Sequence, residues 1–409
     1  MFKHLPPFAA DYSGVASALH DLGGLIVIHD ASGCTGSFTG YDEPRWYAGR
    51  AGVYCSGLRE FDAILGNDQR LLDNILDIVR AQDFSFVAIV GSPVPMLIGF
   101  DFEGFANLVE NESGLPAFGF PTTGLACYHH GFASACIAFA DRFLPKKGVR
   151  RRAGTLNILG ASPLDNFTPA TVDLLKACVA DLGWSVTSVW GQGSEFSRMA
   201  EAASAEVNLV VSSTALPLAR HMERRWGIPC VAGIPFDDRA AAALAQALRQ
   251  AREGMAAAAA PPASPLSRCA DQDAGSVLLI GEQFQMNGLR SRLRQYCSGV
   301  SIAVGSFFAW DASFAEAGDT LLGNEEEALR LLQARNFDVV VGDPLFRSLL
   351  GHAPHTWYVD NPHYAVSGRI HREHALATHF GASGLAFARQ IEAAVLASRA
   401  TGSRQVRAS

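Results

Sequence analysis

Two cysteines stand in glycine-flanked segments near the start of this 409-residue sequence. Cys34 lies in HDASGCTG, and Cys55, 21 positions later, precedes SGLREFDAILGNDQRL. A thiolate on such a turn would lie near backbone N–H groups, which lower its pKa and donate hydrogen bonds to the sulfides of an iron–sulfur cluster. The spacing is wrong for a CxxC zinc ribbon, and two cysteines cannot complete a metal site. From these residues alone, cluster ligation and buried structural cysteines both stay open.

The elements that would position these cysteines follow an alternating pattern. Short β-branched runs are each followed by a helical pattern, which predicts an α/β fold of parallel sheets with crossover helices. A basic connector, PKKGVRRRA, and an Ala/Pro/Ser segment interrupt this alternation. We therefore predict a first α/β domain over 1–150, a second, Rossmann-like one over 151–255, a linker over 256–274 and a third, Rossmann-like domain over 275–409. The predicted strands are 25–29, 86–90, 156–159, 186–189, 209–212, 277–280, 300–304 and 339–341.

Ligands of such sheets bind at the carboxyl ends of the strands. This rule selects residues 29–36, 91–95 and 343–344 as candidate site segments. The segment YDEPRW, which follows Cys34, mixes charges with aromatic residues. It suits either a surface for a partner or a solvated loop.

Composition disfavours several functions. A net charge of −7 and a pI near 5.9 give no basic stripe, so we expect no nucleic-acid partner. No uninterrupted apolar run reaches about 18 residues, so we expect no membrane association. Residues 1–12 lack the apolar core of a signal peptide, which predicts a cytoplasmic location. In that reducing compartment the eight cysteines are interpreted as buried apolar side chains or metal ligands rather than disulfides.

The ordered motifs resemble those of the nitrogenase component 1 superfamily. The resemblance begins with HDASGCTG, continues through Cys55 with FDAILGNDQRL, and through VGSPVPMLIGFDFEGF at 90–105. It extends over GLPAFGFPTTGLACYHHGF, NLVVSSTALPLARHMERRWGIP and VVVGDPLFRSL, and so covers nearly the whole chain. It implies three Rossmann-like domains with parallel sheets that meet at a cleft, the nitrogenase component 1 fold.

The resemblance also implies a cofactor site. In this family each subunit supplies three cysteines to an iron–sulfur cluster at the subunit interface, and the first two match Cys34 and Cys55. The third position is Ser92 in this sequence. The implied cofactor is either a P-cluster-like centre with Ser92 as an oxygen ligand or a 4Fe-4S cluster, in both cases shared with the partner subunit. Cys127 is an alternative third ligand if the fold brings it close.

The same resemblance implies a beta-like subunit. The stretch that would carry the active-site cofactor's cysteine, 210–213, contains none, so His355 and His363 do not make a cofactor site. The implied partners are an alpha-like component 1 subunit and an ATP-dependent iron protein that delivers electrons. The complex would reduce a small molecule, with methylthio compounds as the first expectation. Two alternatives are a scaffold subunit for metallocluster assembly and a cluster-less α/β binding or regulatory protein.

Overall fold

Parallel strands form the framework of the chain. The computed structural model describes residues 3–46, 52–66, 68–254, 275–297, 299–351, 356–368 and 381–406. All pairings between its named strands are parallel, which confirms the predicted α/β fold class. The strands are β1 (Leu25–Ile28), β2 (Gly52–Cys55), β3 (Val87–Val90), β4 (Ala117–Phe120), β5 (Arg152–Ala161), β6 (Ser185–Gly191), β7 (Ala205–Val210), β8 (Cys230–Ala232), β9 (Ser276–Ile280), β10 (Ser301–Ser306), β11 (Thr320–Leu321), β12 (Val339–Gly342) and β13 (Trp357–Asp360).

Helices follow most of these strands, as crossover connections require. A π-helical turn, Phe38–Asp42, continues the second helix, and short 3-10 turns lie at Pro163–Asp165, Ala202–Ser204, Ser213–Ala215, Ala312–Phe314 and Pro344–Leu350. The α-helices are α1 (Asp11–Leu19), α2 (Gly33–Ser37), α3 (Glu60–Leu65), α4 (Asp68–Ala81), α5 (Pro93–Leu97), α6 (Phe102–Ser113), α7 (Tyr128–Phe143), α8 (Pro169–Asp181), α9 (Phe196–Ala200), α10 (Leu216–Trp226), α11 (Asp238–Arg252), α12 (Gln283–Tyr296), α13 (Glu325–Ala334), α14 (Tyr364–Ser367) and α15 (Gly381–Val406).

The strands make three sheets with the same core order. The first sheet runs β2-β1-β3-β4, the second β6-β5-β7-β8, and the third β10-β9-β12-β13 with β11 added beside β10. In each sheet the chain starts at an inner strand and the strand order reverses beside it. This reversal opens a crevice at the carboxyl ends of the two inner strands, where doubly wound sheets bind ligands. The repeated topology therefore offers three potential crevices.

The first sheet is covered on both faces. Leu25 and Val27 of β1 pack with α4 and α6, whereas Ile26 and Ile28 face the core that contains α1 and α7. This separation follows from the alternation of side chains along a strand. Because both faces are buried, only the edges and ends of this sheet can receive a ligand.

Helices α1 and α7 pack closely at glycines. A Cβ atom at Gly14 would collide with the Tyr128 carbonyl oxygen, and one at Gly131 would collide with the Asp11 carbonyl oxygen. The backbones can therefore approach only because these positions lack side chains. The helix pair carries Tyr12 and Tyr128 toward two different regions described below.

Other sequence predictions have different outcomes. No helix within the described ranges is long and apolar enough to cross a bilayer. The predicted linker at 256–274 lies outside the described residues, and the proposed domain boundaries stay predictions.

Candidate functional site

The structure brings Cys34, Cys55 and Ser92 to one edge of the first sheet. Cys55 is the last residue of β2 and is in register with Ile28, the last residue of β1. Cys34 lies in α2, which begins after β1, and Ser92 is the N-cap of α5, which begins after β3. Because β2, β1 and β3 are neighbours, their carboxyl ends present all three residues together. The sequence rule that selected 29–36 and 91–95 thus identifies one edge, called here the open edge.

The Cys34 turn is solvent-facing and conformationally strained. Ser32, just before α2, has a φ of 132°, which non-glycine residues rarely adopt. Cβ atoms at Gly33 and Gly36 would contact nothing within 4 Å, so the turn faces open space. Burial raises the pKa of the partly buried Cys34 thiol, the nearby Asp30 charge raises it further, and a hydrogen bond with Tyr12 acts in the opposite direction. The sequence-based expectation of a lowered pKa on this turn is therefore wrong for Cys34, because burial and the Asp30 charge outweigh the hydrogen bond with Tyr12.

Cys55 is held by backbone groups. Its Sγ donates to the Asp30 carbonyl oxygen over 3.4 Å and accepts from the Gly57 N–H over 3.4 Å. The residue is partly buried, so its sulfur lies at the boundary between the sheet and solvent. A backbone N–H directed at a sulfur is the contact that stabilises a thiolate.

The third predicted position points into the protein. Ser92 is fully buried, and its Oγ donates to the His29 carbonyl oxygen over 2.8 Å. Ligation of iron by this oxygen would require that bond to break. Ser92 as a ligand stays a prediction, and its hydroxyl bonds the His29 carbonyl oxygen rather than capping α5.

Cys127 lies in a different environment from Cys34. It packs against the apolar cluster that contains Leu5, Tyr128 and Phe308, whereas Cys34 packs against the cluster of α1 and α7. Burial raises the pKa of the Cys127 thiol to about 12. A thiol so deeply desolvated is a poor thiolate donor, so its geometry gives little support to its role as the replacement ligand.

The donor set at the open edge fits part of a cluster site. Cys34, on an exposed turn, and Cys55, at the end of β2, offer two soft sulfur donors, the ligand type that iron–sulfur clusters use. Within the described ranges, no group of three or more His, Cys, Asp or Glu residues is arranged to hold a metal ion.

Exposed apolar side chains surround this edge. Leu97 in α5 is 87% exposed and Leu125 is 90% exposed, although both are large hydrophobic residues. Exposed apolar residues in such numbers around one feature are typical of a protein-binding surface. We call these residues the apolar rim: Phe61, Ile64, Leu65, Val94, Leu97, Ile98 and Leu125.

The segment YDEPRW supports the open edge from inside. Arg45 is buried and bonds Glu43 over 2.7 Å and Asp21 over 2.8 Å, and it also donates to the Ser17 carbonyl oxygen. Glu43 is fully buried, so the interpretation as a solvated loop is wrong for these two charges. The paired charges fix the backbone that follows α2, while Tyr41 remains exposed.

The second and third sheets face each other at the carboxyl ends of their strands. Buried polar side chains fill the space between them. Asp165 Oδ2 accepts from Ser212 over 2.8 Å, and its Oδ1 accepts from the Tyr128 hydroxyl. Glu282 Oε1 accepts from the Ser213 N–H over 2.8 Å and from its hydroxyl over 2.6 Å. Burial raises the pKa of Asp165, and the charge of Glu282 raises it further. We call this region the closed edge.

The closed edge also contains the stretch 210–213 and His363. The His363 ring stacks on Phe308 with centroids 4.1 Å apart, and its backbone N–H donates to Asp343 over 2.8 Å. His355 lies outside the described residues. Since the serines of 212–213 are bonded to the two buried carboxylates, this region is filled by the chain's own polar groups.

Comparison with known proteins agrees with these features. Residues 11–266 match the family model described as nitrogenase component 1 type oxidoreductase. The nitrogenase iron-molybdenum cofactor biosynthesis protein NifE of Sinorhizobium fredii (strain NBRC 101917 / NGR234) is 28% identical over 206 residues. That alignment covers 48% of this chain and only 39% of the relative, so the chain spans well under half of that protein.

Solved structures extend the likeness to the whole fold. Nitrogenase Cp1 at pH 6.5 superposes with a TM-score of 0.67 and 12% identity, covering 97% of this chain and 93% of the other. Nitrogenase Cp1 at pH 5 gives a TM-score of 0.64 and 13% identity, covering 96% and 88%. These identities establish the fold alone, and the fold agrees with the three parallel sheets. Together with the match over 11–266, they show that the chain belongs to the nitrogenase component 1 type oxidoreductase family.

Proposed function

We propose that this protein is a beta-like subunit of a nitrogenase-like two-component reductase, holding an iron–sulfur cluster between its open edge and a partner subunit. The observation that carries the proposal is the position of two partly buried thiols, with Cys55 at the end of β2 and Cys34 in the helix that follows the adjacent strand β1. The described residues offer too few ligands for a complete site, and the apolar rim offers the surface through which a second chain would supply the others.

Each group at the open edge has a physical role in this proposal. Cys34 and Cys55 would bind iron through sulfur, and the Gly57 N–H would stabilise the Cys55 thiolate. When bound, the cluster supplies one-electron transfer. The partner's association would cover the rim and exclude water, which strengthens the electrostatic interactions inside. The proposed partners are an alpha-like subunit, which holds the reduction site, and an ATP-dependent iron protein.

The inward orientation of Ser92 bears on the type of cluster. A P-cluster-like centre in the full family pattern would use a ligand at this position, yet the Ser92 hydroxyl is bonded to His29. A 4Fe-4S cluster completed by the partner needs only the two thiols of this chain. We therefore favour the 4Fe-4S cluster, and retain small methylthio compounds as the first substrate class to test.

A second candidate function is a scaffold subunit on which a metallocluster is assembled. The observation that favours it is the 28% identity with a cofactor biosynthesis protein over about half of this chain. Such a scaffold would use the same thiols but would release its cluster to an acceptor protein. A cluster-less binding or regulatory protein is the third candidate, and it predicts no iron at the open edge.

The first experiment is anaerobic co-purification of the chain with its partner, followed by iron quantification and low-temperature EPR. We expect iron in the wild-type complex and its loss in Cys34→Ala and in Cys55→Ala. Cys178→Ala, which removes a partly buried cysteine of α8, is the matched control and should retain iron. Equal iron contents in all four proteins would refute the proposed cluster site.

A second measurement separates the two cluster-dependent functions. A reductase subunit should support substrate reduction that requires both ATP and the iron protein. A scaffold should instead transfer its iron to an apo-acceptor without substrate turnover. Turnover without transfer favours the reductase, whereas transfer without turnover favours the scaffold.

A further inference from the structure

We infer that Asp30 is the positioning residue of the open edge, and that its carboxylate lowers the reduction potential of a cluster bound by Cys34 and Cys55. The inference rests on the proposed function and adds a residue that is not one of the predicted ligands. Asp30 is the second residue after β1 and is only 3% exposed, so its contacts are made inside the protein.

The side chain of Asp30 holds the turn that carries Cys34. Its Oδ2 accepts from the Ser32 N–H over 2.9 Å and from the Thr35 N–H over 3.1 Å, so the two bonds bracket Cys34. Hydrogen bonds to a carboxylate are stronger than those between neutral groups. They hold Ser32 at its positive φ, a conformation that the backbone would otherwise leave.

The backbone of Asp30 holds the second thiol. Its carbonyl oxygen accepts from Cys55 Sγ over 3.4 Å and from the Leu58 N–H over 2.8 Å. Its N–H donates to Ser56 Oγ over 2.9 Å. The loop that follows β2 is thus fixed against the same residue that fixes α2.

Asp30 also contacts Ser92, the residue at the position of the third family cysteine. Ser92 Oγ lies 3.5 Å from Asp30 Oδ1, at the limit of a hydrogen bond, while its main bond is to His29. One residue therefore contacts all three segments of the open edge. The carboxylate thus lies between the Cys34 turn and Ser92, where its negative charge acts on nearby sulfur.

The charge of Asp30 acts on Cys34 directly. The Asp30 carboxylate accepts hydrogen bonds from the Ser32 and Thr35 N–H groups, on either side of Cys34, so its charge lies beside the turn that carries the sulfur. A fixed negative charge beside a cluster opposes the addition of an electron, since net charge, burial and hydrogen bonds set cluster potentials. The carboxylate should therefore make the cluster a stronger reductant.

The test is a redox titration, followed by EPR, of the anaerobic complex carrying Asp30→Asn. We expect a midpoint potential more positive than that of the wild type. We also expect a lower iron content, because a neutral amide oxygen binds the two turn N–H groups more weakly than a carboxylate oxygen does. Asp343→Asn is the matched control, since Asp343 is also buried after a strand and accepts from the Leu345 and His363 N–H groups. Asp343 directly follows β12 of the third sheet, so the substitution should leave the potential unchanged.

A double variant separates position from charge. Ser32→Gly removes the steric penalty of the positive φ, so Ser32→Gly/Asp30→Asn should restore iron content while the potential stays raised. This variant also keeps the test decisive if Asp30→Asn alone fails to fold. Wild-type potential in a fully loaded Asp30 variant would overturn the inference but leave the cluster site intact. A wild-type complex without iron, or one whose iron content is unchanged by Cys34→Ala, would instead refute the proposed function itself.

Discussion

The open edge of the first sheet and the closed edge between the second and third sheets start from the same strand order but end differently. At the open edge the strand ends carry thiols, a strained turn and exposed apolar side chains. At the closed edge the equivalent positions carry hydrogen-bonded polar side chains. Asp165 accepts from Ser212 and Tyr128, and Glu282 accepts from Ser213. Topology alone therefore creates a crevice without deciding whether it binds a ligand.

The difference lies in what covers each crevice. The second and third sheets direct their carboxyl ends at each other, and polar side chains fill the space with paired hydrogen bonds. No element within the described ranges provides an equivalent cover for the apolar rim. A chain that buries two of its three crevices and leaves one open is suited to share the third with a partner.

The largest expected effect comes from the helix pair that serves both edges. Gly14→Ala places a Cβ against the Tyr128 carbonyl oxygen, and so displaces Tyr12 from the open edge and Tyr128 from the closed edge. We expect a loss of about 4 kcal/mol in the free energy of unfolding. Gly36→Ala, whose Cβ would meet nothing within 4 Å, is the control and should cost far less in thermal or urea unfolding. Equal midpoints would show that the helix pair does not limit stability.

The closed edge should lose stability as pH rises. Burial raises the pKa of Asp165 from 3.8 to about 7, so the folded protein binds a proton more tightly than the unfolded chain. The protonated Asp165 carboxyl contributes on the order of 3 kcal/mol to the free energy of unfolding. This contribution is fully present below about pH 4 and is lost as the pH rises through 7. Asp165→Asn should flatten the pH dependence of unfolding over that range. Asp101→Asn, at the exposed start of α6, should follow the wild-type curve.

The open edge should show the opposite pH dependence. Burial lowers the pKa of His29 to about 4, from 6.5, and the Asp30 charge opposes this shift. The neutral His29 imidazole contributes on the order of 2 kcal/mol to the free energy of unfolding. This contribution is present above pH 6.5 and is lost as the pH falls toward 4. His29→Asn should retain a hydrogen bond to Ser56 without titrating. A wild-type loss on acidification that the variant shares fully would contradict this assignment.

The central strands could be predicted from sequence because they are buried on both faces. Each of the eight predicted runs overlaps a strand, and β1 and β3 are continuous apolar segments. The sequence analysis missed β2, β4, β8, β11 and β13, which are all edge strands with partly exposed residues. An edge strand is stabilised by pairing with one neighbouring strand, and the sequence of the edge strand itself does not indicate that pairing.

The candidate site could be predicted only in part, for a related reason. Cys34 and Cys55 were placed together by motif resemblance, and the rule on strand ends agreed for Cys34. The bond between Ser213 and Glu282 joins residues from two sheets, and no local pattern indicates such a contact. The burial of Arg45 with Glu43 was also missed, since a charged loop usually lies in solvent. Both features depend on contacts between segments that are distant in the sequence, which local patterns do not show.

The smallest expected effect on stability should accompany a large effect on association. Leu97→Glu changes a side chain that is 87% exposed, so unfolding of the isolated chain should shift by less than about 0.5 kcal/mol. The same change puts a charge in the apolar rim, where burial against a partner would leave it unpaired, so co-purified partner and iron should both fall. Leu396→Glu, on the exposed face of α15 in the third sheet's layer, is the matched control for an added surface charge. If both variants retain partner equally, the rim is not the interface, and the open edge must be covered by another surface.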